Sequence, residues 1–173
     1  MTAGVRQFTE SRTDAVAVSM KQRIYTDTSV IGGCFDEEFA ETSGQLFNIF
    51  KIGEAIIVVS DLTLLELQDA PPRVRAALEE IPLAHREDVE LTEEAATLAE
   101  RYIAAGVVVA TKRVDAQHIA LATISRVDVL VSWNVKPIVN LQRIHGYNSV
   151  NLRFGYQLLE IRTPQEVLSY EEK

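Results

Sequence analysis

Four polar residues stand where a strand-like run ends or a helix-like run begins, and their types suit chemistry on a phosphate. Asp27 closes Tyr25-Thr26-Asp27-Thr28-Ser29, and Glu66 lies in Ser60-Asp61-Leu62-Thr63-Leu64-Leu65-Glu66-Leu67. Asp115 opens Asp115-Ala116-Gln117-His118, and Asn134 ends Val131-Ser132-Trp133-Asn134. Glu66 is the informative one, being the acid inside a leucine-rich stretch. Such a carboxylate either faces solvent on the outer side of its helix or points into a pocket. Carboxylates sharing a pocket repel each other and rise in pKa unless a cation neutralises them. Magnesium does this through oxygen ligands, keeping several waters and pairing a few carboxylates with substrate phosphate. An ion so held can lower the pKa of a water and stabilise charge on phosphorus during in-line attack. Asp27 is the expected direct ligand, with Glu66 and Asp115 as direct or water-mediated ones. Asn134 offers a neutral amide oxygen, and Thr28, Ser29 and Ser132 are expected to orient waters.

Each residue also has a plain structural role open to it. Asp27 can cap the following turn, Glu66 can sit on a solvated helix face, Asp115 can be a helix N-cap, and Asn134 can be a turn residue before Pro137. His118 lies three residues after Asp115 on the same helical face. A packed or rim histidine is the commoner use of that position, ahead of a general base. Trp133, Tyr147 and Phe154 have the faces to stack bases, with core packing as the ordinary alternative. Cys34 follows Gly32-Gly33, a pair too short to cradle phosphates, and reads as a small buried residue. His85 and His145 have no partner pattern.

The elements that must position these residues alternate between short apolar runs and longer amphipathic ones. Strands are expected at Arg23–Asp27, Ile56–Val59, Asp128–Ser132 and Leu158–Ile161. The second is apolar throughout, as in a strand buried on both faces. Helical spacing covers residues 37–52. Ser60-Asp61 reads as a helix N-cap, Pro71-Pro72 as a break, Pro72–Ile81 as a short helix, and Thr92 to Gly106 as a capped longer one. Residues 115–125 read as helical, Pro137 as the first turn of a helix to about His145, and Thr163 to Glu166 as a final turn. This alternation predicts an α/β fold with a mostly parallel sheet and helices on both faces. In such sheets function gathers beyond the carboxyl ends of the strands, which is where the four residues fall.

Composition narrows the class. The 173 residues suit one domain, and 47% hydrophobic with 24% charged residues is ordinary for a globular chain. A single cysteine excludes an internal disulfide and a cysteine zinc site and favours a cytoplasmic setting. No apolar run reaches the roughly 20 residues of a membrane helix. The net charge of −8 argues against a general nucleic-acid-coating protein. The charge is unevenly spread, however. Residues 36–100 hold 16 acids and 4 bases, whereas residues 101–153 hold 7 bases and 2 acids. A polyanion approaching the later half and scattered solvated charges fit this equally. Residues 1–22 are expected to be a poorly ordered N-terminal extension, with the domain running from 23 to 173.

The four segments, in this order, resemble the motifs of PIN-domain ribonucleases. Tyr25 to Ser29 is similar to their opening strand-borne aspartate motif, Ser60 to Glu66 to their helix start followed by a glutamate, Asp115 to Ala122 to their aspartate at an apolar helix, and Asp128 to Lys136 to their strand leading to an acid or amide. The likeness runs from about residue 23 to 168. It implies a PIN-like three-layer α/β/α fold with a mostly parallel central sheet. It implies a Mg²⁺- or Mn²⁺-dependent endoribonuclease with Asp27, Glu66 and Asp115 as metal ligands and Asn134 as a fourth catalytic residue. Compact bacterial members similar to the VapC group are toxins of type II toxin–antitoxin pairs, so a homodimer and a small antitoxin partner are implied as well. Asn134 departs from the aspartate many members carry. That loss of charge points to one metal in place of two, or to a weak or inactive module that binds RNA or a protein. A haloacid-dehalogenase-type phosphohydrolase also begins on a strand-end aspartate, but it needs a second aspartate two residues on, where this chain has Ser29.

Overall fold

The computed structural model describes residues 20–171, and the segment expected to be a poorly ordered extension lies almost entirely outside the described residues. Five strands form one all-parallel sheet: β1 (Gln22–Thr26), β2 (Ala55–Ser60), β3 (Arg86–Val89), β4 (Val129–Val131) and β5 (Ile161–Arg162), in the order β3-β2-β1-β4-β5. The chain winds outward from β1 to β3 in one direction, then returns to the other side of β1 for β4 and β5. The strand order therefore reverses between β1 and β4, which opens a crevice past their carboxyl ends. Thr26 is in register with Val131, so the next residues along, Asp27 and Ser132, lie side by side at that crevice.

Helices cover both faces. On one side are α1 (Thr28–Gly33), α2 (Ala40–Ile52), α3 (Asp61–Gln68), α4 (Pro72–Glu79) and α8 (Pro164–Glu171). On the other are α5 (Glu93–Ala104), α6 (Arg113–Ile124) and α7 (Leu141–Arg153). Strand alternation splits the core accordingly. Ile24, Ile57, Val59, Val129 and Val131 pack against Val30, Leu46, Phe50 and Leu78. Tyr25, Val58, Leu130 and Ile161 pack against Leu98, Tyr102, Ile119 and Tyr147. Both faces of the sheet are covered by helices, which accounts for the uninterrupted apolar run of β2. Among the described residues no helix is long and apolar enough to cross a membrane.

The three-layer α/β/α architecture agrees with the sequence reading, and the differences are local. Helix α1, not anticipated, is too short and too rich in glycine and β-branched residues to announce itself. Asp27 caps it, and the burial of Val30 and Ile31 holds it. Strand β3 escaped notice because its residues, Arg-Glu-Asp-Val, lack an apolar pattern. It is an edge strand whose charges pair as Arg86 with Asp88 and Glu87 with Arg23 of β1. Pro137 does not start a helix: it lies in a turn closed by the Asn134 carbonyl, which accepts from the amides of Ile138 and Val139. The helix starts at Leu141, where the Asn140 side chain caps the Arg143 amide, and runs on to Arg153. The last strand lies at Ile161–Arg162 instead of Leu158–Ile161. The expected final turn is the start of α8, where Thr163 and Glu166 bond reciprocally as a capping box.

Candidate active site

The crevice between β1 and β4 is built around Asp27. Its backbone is extended and its side chain turns back to cap α1, accepting from Ser29 N at 3.1 Å and Ser29 Oγ at 2.5 Å. The other oxygen accepts from Ser132 Oγ at 2.5 Å, across the sheet from β4. The expected cap and the expected site residue are thus the same carboxylate. Burial pushes the Asp27 carboxyl up, and only the charge on His118 and the hydrogen bonds from Ser132, Ser29 and Val30 work against that. Ser29 and Ser132 thus hold the carboxylate in place.

Glu66 lies on α3, the helix capped by Ser60 at the end of β2. It is half-buried and turned inward, which decides between the two placements open to it in sequence. Thr28 Oγ1 donates to one carboxylate oxygen, and His118 Nε2–H donates to the other at 3.4 Å. Burial raises the Glu66 carboxyl, but these two bonds and the charge on His118 outweigh it, so the group lies below its usual range.

Asp115 stands in the first turn of α6 and is not its cap; Lys112 occupies that position without a side-chain bond. Its carboxylate accepts from Asn134 Nδ2 at 3.0 Å, and the Asn134 backbone N–H donates to Ser132 Oγ at 2.9 Å. Burial raises the Asp115 carboxyl, Lys112 and His118 lower it, and the charges of Asp27 and Glu66 raise it further. The fold thus brings all four residues to one end of the sheet. A chain of hydrogen bonds runs from Asp27 through Ser132 and Asn134 to Asp115.

His118 is a buried residue at the centre of a second chain of bonds. Its Nε2 faces Glu66, while its Nδ1 is hydrogen-bonded to Tyr25 OH at 2.7 Å, and Tyr25 OH is bonded in turn to Ser60 Oγ at 2.8 Å. Sequence reasoning gave Tyr25 no role. Its only signal was a polar-tipped aromatic two residues before Asp27 on a buried strand. Tyr25→Phe strands the buried His118 Nδ1 and frees Ser60, at an expected cost of about 1–3 kcal/mol. Urea unfolding of both proteins measures it, and an unchanged midpoint would contradict the linkage.

The remaining aromatic residues and the basic side chains of the later half are placed unevenly. Trp133 stacks on Phe39 with ring centroids 4.3 Å apart and donates to Ser43, and Tyr147 is buried. Phe154 is partly exposed beneath Arg101. Arg113 is paired with Glu100, and Arg143 donates to the Val107 carbonyl. Lys112 and Lys136 are exposed, without an ion pair among the described residues. Burial pushes the Cys34 thiol up to about 11, so it is no thiolate ligand.

Comparison with solved structures bears on the fold. The chain superposes on the VapBC2 complex of Rickettsia felis bound to a DNA fragment from its promoter, with TM-score 0.53 and 11% identity over 82% of this chain and 98% of that one. It superposes on FitAcB of Neisseria gonorrhoeae with TM-score 0.52 and 13% identity, over 82% of this chain and 98% of that one. The fold is that of a PIN domain. A third PIN-like neighbour, FitAB bound to an IR36 DNA fragment, gives TM-score 0.51 at 12% identity over 82% of this chain and 94% of that one. No family model and no curated protein sequence matches the chain. At these identities the likeness is one of PIN fold, and the side chains must speak for the chemistry.

The donor set of this PIN-like crevice is all oxygen: three carboxylates and the free amide oxygen of Asn134. Among the described residues, no group of three or more His, Cys, Asp and Glu is disposed to cage an ion directly. An all-oxygen set is of the chemical kind that suits a hard ion keeping most of its waters and taking one or two carboxylates directly, as magnesium does. It does not suit zinc, which wants four tight nitrogen, sulfur or oxygen ligands.

Proposed function

We propose that the chain is a Mg²⁺- or Mn²⁺-dependent endoribonuclease that hydrolyses RNA phosphodiester bonds, and that it is the toxin of a type II toxin–antitoxin pair. The observation that carries the reading is the gathering of Asp27, Glu66 and Asp115 at one crevice, where burial raises the carboxyls of Asp27 and Asp115 and neither is in a lysine or arginine salt bridge among the described residues. Such a site calls for positive charge. A bound divalent ion would supply Lewis acidity toward a water and the phosphate. Asp27, clamped by Ser29 and Ser132, is the fixed ligand. Glu66, held by Thr28 and His118, and Asp115, held by Asn134, reach the ion directly or through water. Lys112 and Lys136, exposed and without an ion pair among the described residues, are the side chains for backbone contact. The neighbours' names carry the partner reading: VapBC2 and FitAB are complexes, and a small antitoxin, a homodimer and a cytoplasmic setting are inferred with the toxin role.

One observation favours a second reading, a weak or inactive module that binds RNA or a protein. Asn134 gives its amide hydrogen to Asp115 where a further acid would add charge. Incubation of the purified protein with total RNA, with and without Mn²⁺, followed by 5′-end mapping, separates the two. New 5′-phosphate ends that need the ion support the nuclease. Retained RNA without new ends, in Mg²⁺ and Mn²⁺ alike, decides for the binding module.

A further inference from the structure

Beside the acidic crevice, between the end of α1 and the Asn134 turn, lies an open depression of about 410 Å³. Ser29 and Asn134 form its inner rim, so it is continuous with the carboxylate site. The stacked pair Phe39–Trp133 gives it an aromatic wall. Asp36 stands on its outer rim, exposed, with one carboxylate oxygen on the Glu38 amide. Gly32 lies on its floor, where an added Cβ meets nothing within 4 Å. Gly33, by contrast, lets the wall close in, since a Cβ there would stand 2.9 Å from Trp133 Nε1.

We propose that this depression is a nucleobase subsite, which takes the base next to the scissile phosphate and favours guanine. The inference rests on the nuclease reading and names the part of the substrate that would lie here. Its lining holds no lysine or arginine, and Glu37 and Glu38 follow Asp36 in sequence, so a phosphate is repelled and the uncharged base is the part of a nucleotide that fits. Aromatic surfaces stack bases whatever their identity. The carboxylate of Asp36 adds preference because it only accepts hydrogen bonds. Guanine offers it adjacent N1–H and N2–H donors, whereas adenine and cytosine offer a single amino group and uracil a single imide hydrogen. The free amide oxygen of Asn134 accepts from the same kind of edge. A base held here must be unpaired, so the substrate segment is single-stranded at this point.

Trp133 is the chain's one tryptophan, so its emission reports on this wall alone. The test is titration of the wild-type protein, in EDTA, with guanosine, adenosine, cytidine and uridine, with emission corrected for absorbance. None of the four contains a bond to cleave. Saturable quenching by guanosine is expected, about five- to tenfold tighter than by uridine. Asp36→Asn should level the four nucleosides. Gly32→Leu adds bulk to the depression at a position where a Cβ has open space, and it should abolish quenching while leaving the melting temperature in place. Quenching that is absent, equal for all four nucleosides in the wild type, or undiminished in Gly32→Leu overturns the subsite. A protein that cuts RNA but shows no quenching loses the subsite and keeps the nuclease; one that is quenched as expected but never cuts keeps the subsite and loses the nuclease.

Discussion

Asp27→Asn is expected to lower ion-dependent cleavage by about a thousandfold, and to make the metal-free protein more stable at neutral pH. The first effect follows from the loss of a fixed anionic ligand. Charge stabilisation by a bound ion is worth several kcal/mol, and about 4 kcal/mol corresponds to three powers of ten. The fold should survive, because Asn is nearly isosteric. Its Oδ1 still accepts from Ser29, and Ser132 Oγ can turn to accept from the new amide.

The stability effect has a definite sign. Burial holds the Asp27 carboxyl above its unfolded value, so the ionised group is worse placed in the folded chain than in the unfolded one. The resulting penalty is absent below the unfolded pKa of about 3.9, grows as pH rises toward the folded value, and is complete above it. Asn carries no such penalty. In EDTA the variant should therefore melt higher than the wild type at pH 7, by about 2–4 °C for each kcal/mol relieved, and the gap should close toward pH 4. Mn²⁺ should reverse the order by stabilising only the wild type, since an ion that binds the folded state alone adds stability by mass action. Melting curves at the two pH values, with and without the ion, read all of this. A variant that melts lower than the wild type in EDTA at pH 7 would show that Asp27 serves stability and not an ion.

Asn134→Asp is expected to act in the opposite direction. Asn134 Nδ2 lies 3.0 Å from Asp115 Oδ1, so aspartate there would set two carboxylate oxygens almost in contact. They cannot both ionise without a proton or a cation between them. In EDTA the variant should melt below the wild type at pH 7, and the pair should titrate in two coupled steps. With Mn²⁺ the added charge should tighten ion binding by about tenfold, or 1.4 kcal/mol, a modest share of the Coulomb energy because both residues are partly exposed. Isothermal titration with Mn²⁺ measures the gain. Unchanged or weaker ion binding would mean that Asp115 and Asn134 face away from the ion.

Much of the site was legible because strand ends and helix starts leave local marks. Asp27 follows an apolar β-rich run, Ser60 is a recognisable cap, and Asp115 precedes an apolar helix; all three were found at the sheet's carboxyl edge. What stayed hidden depends on partners far along the chain. Helix α1 is too short to persist on propensity alone, and it exists through the Asp27 cap and the burial of Val30 and Ile31. Strand β3 carries edge charges in place of a buried pattern, and it is held by its main-chain pairing with β2 and by the Glu87–Arg23 ion pair. The direction of Glu66 was open on a leucine-rich helix until Thr28 and His118, 38 and 52 residues away, claimed its two oxygens.

The sequence by itself determined the α/β alternation, the elements that bear each acid, and the oxygen-only character of the donor set, because hydrophobic period, caps and residue type are local properties. Only the tertiary structure decided that β1 and β4 lie side by side, that Ser132 clamps Asp27, that Asn134 spends its amide on Asp115, and that Tyr25 and His118 orient Glu66. Those contacts join residues 19 to 105 positions apart. Such pairings are fixed by which apolar faces bury together, a choice made by the whole core and carried by no short stretch of chain.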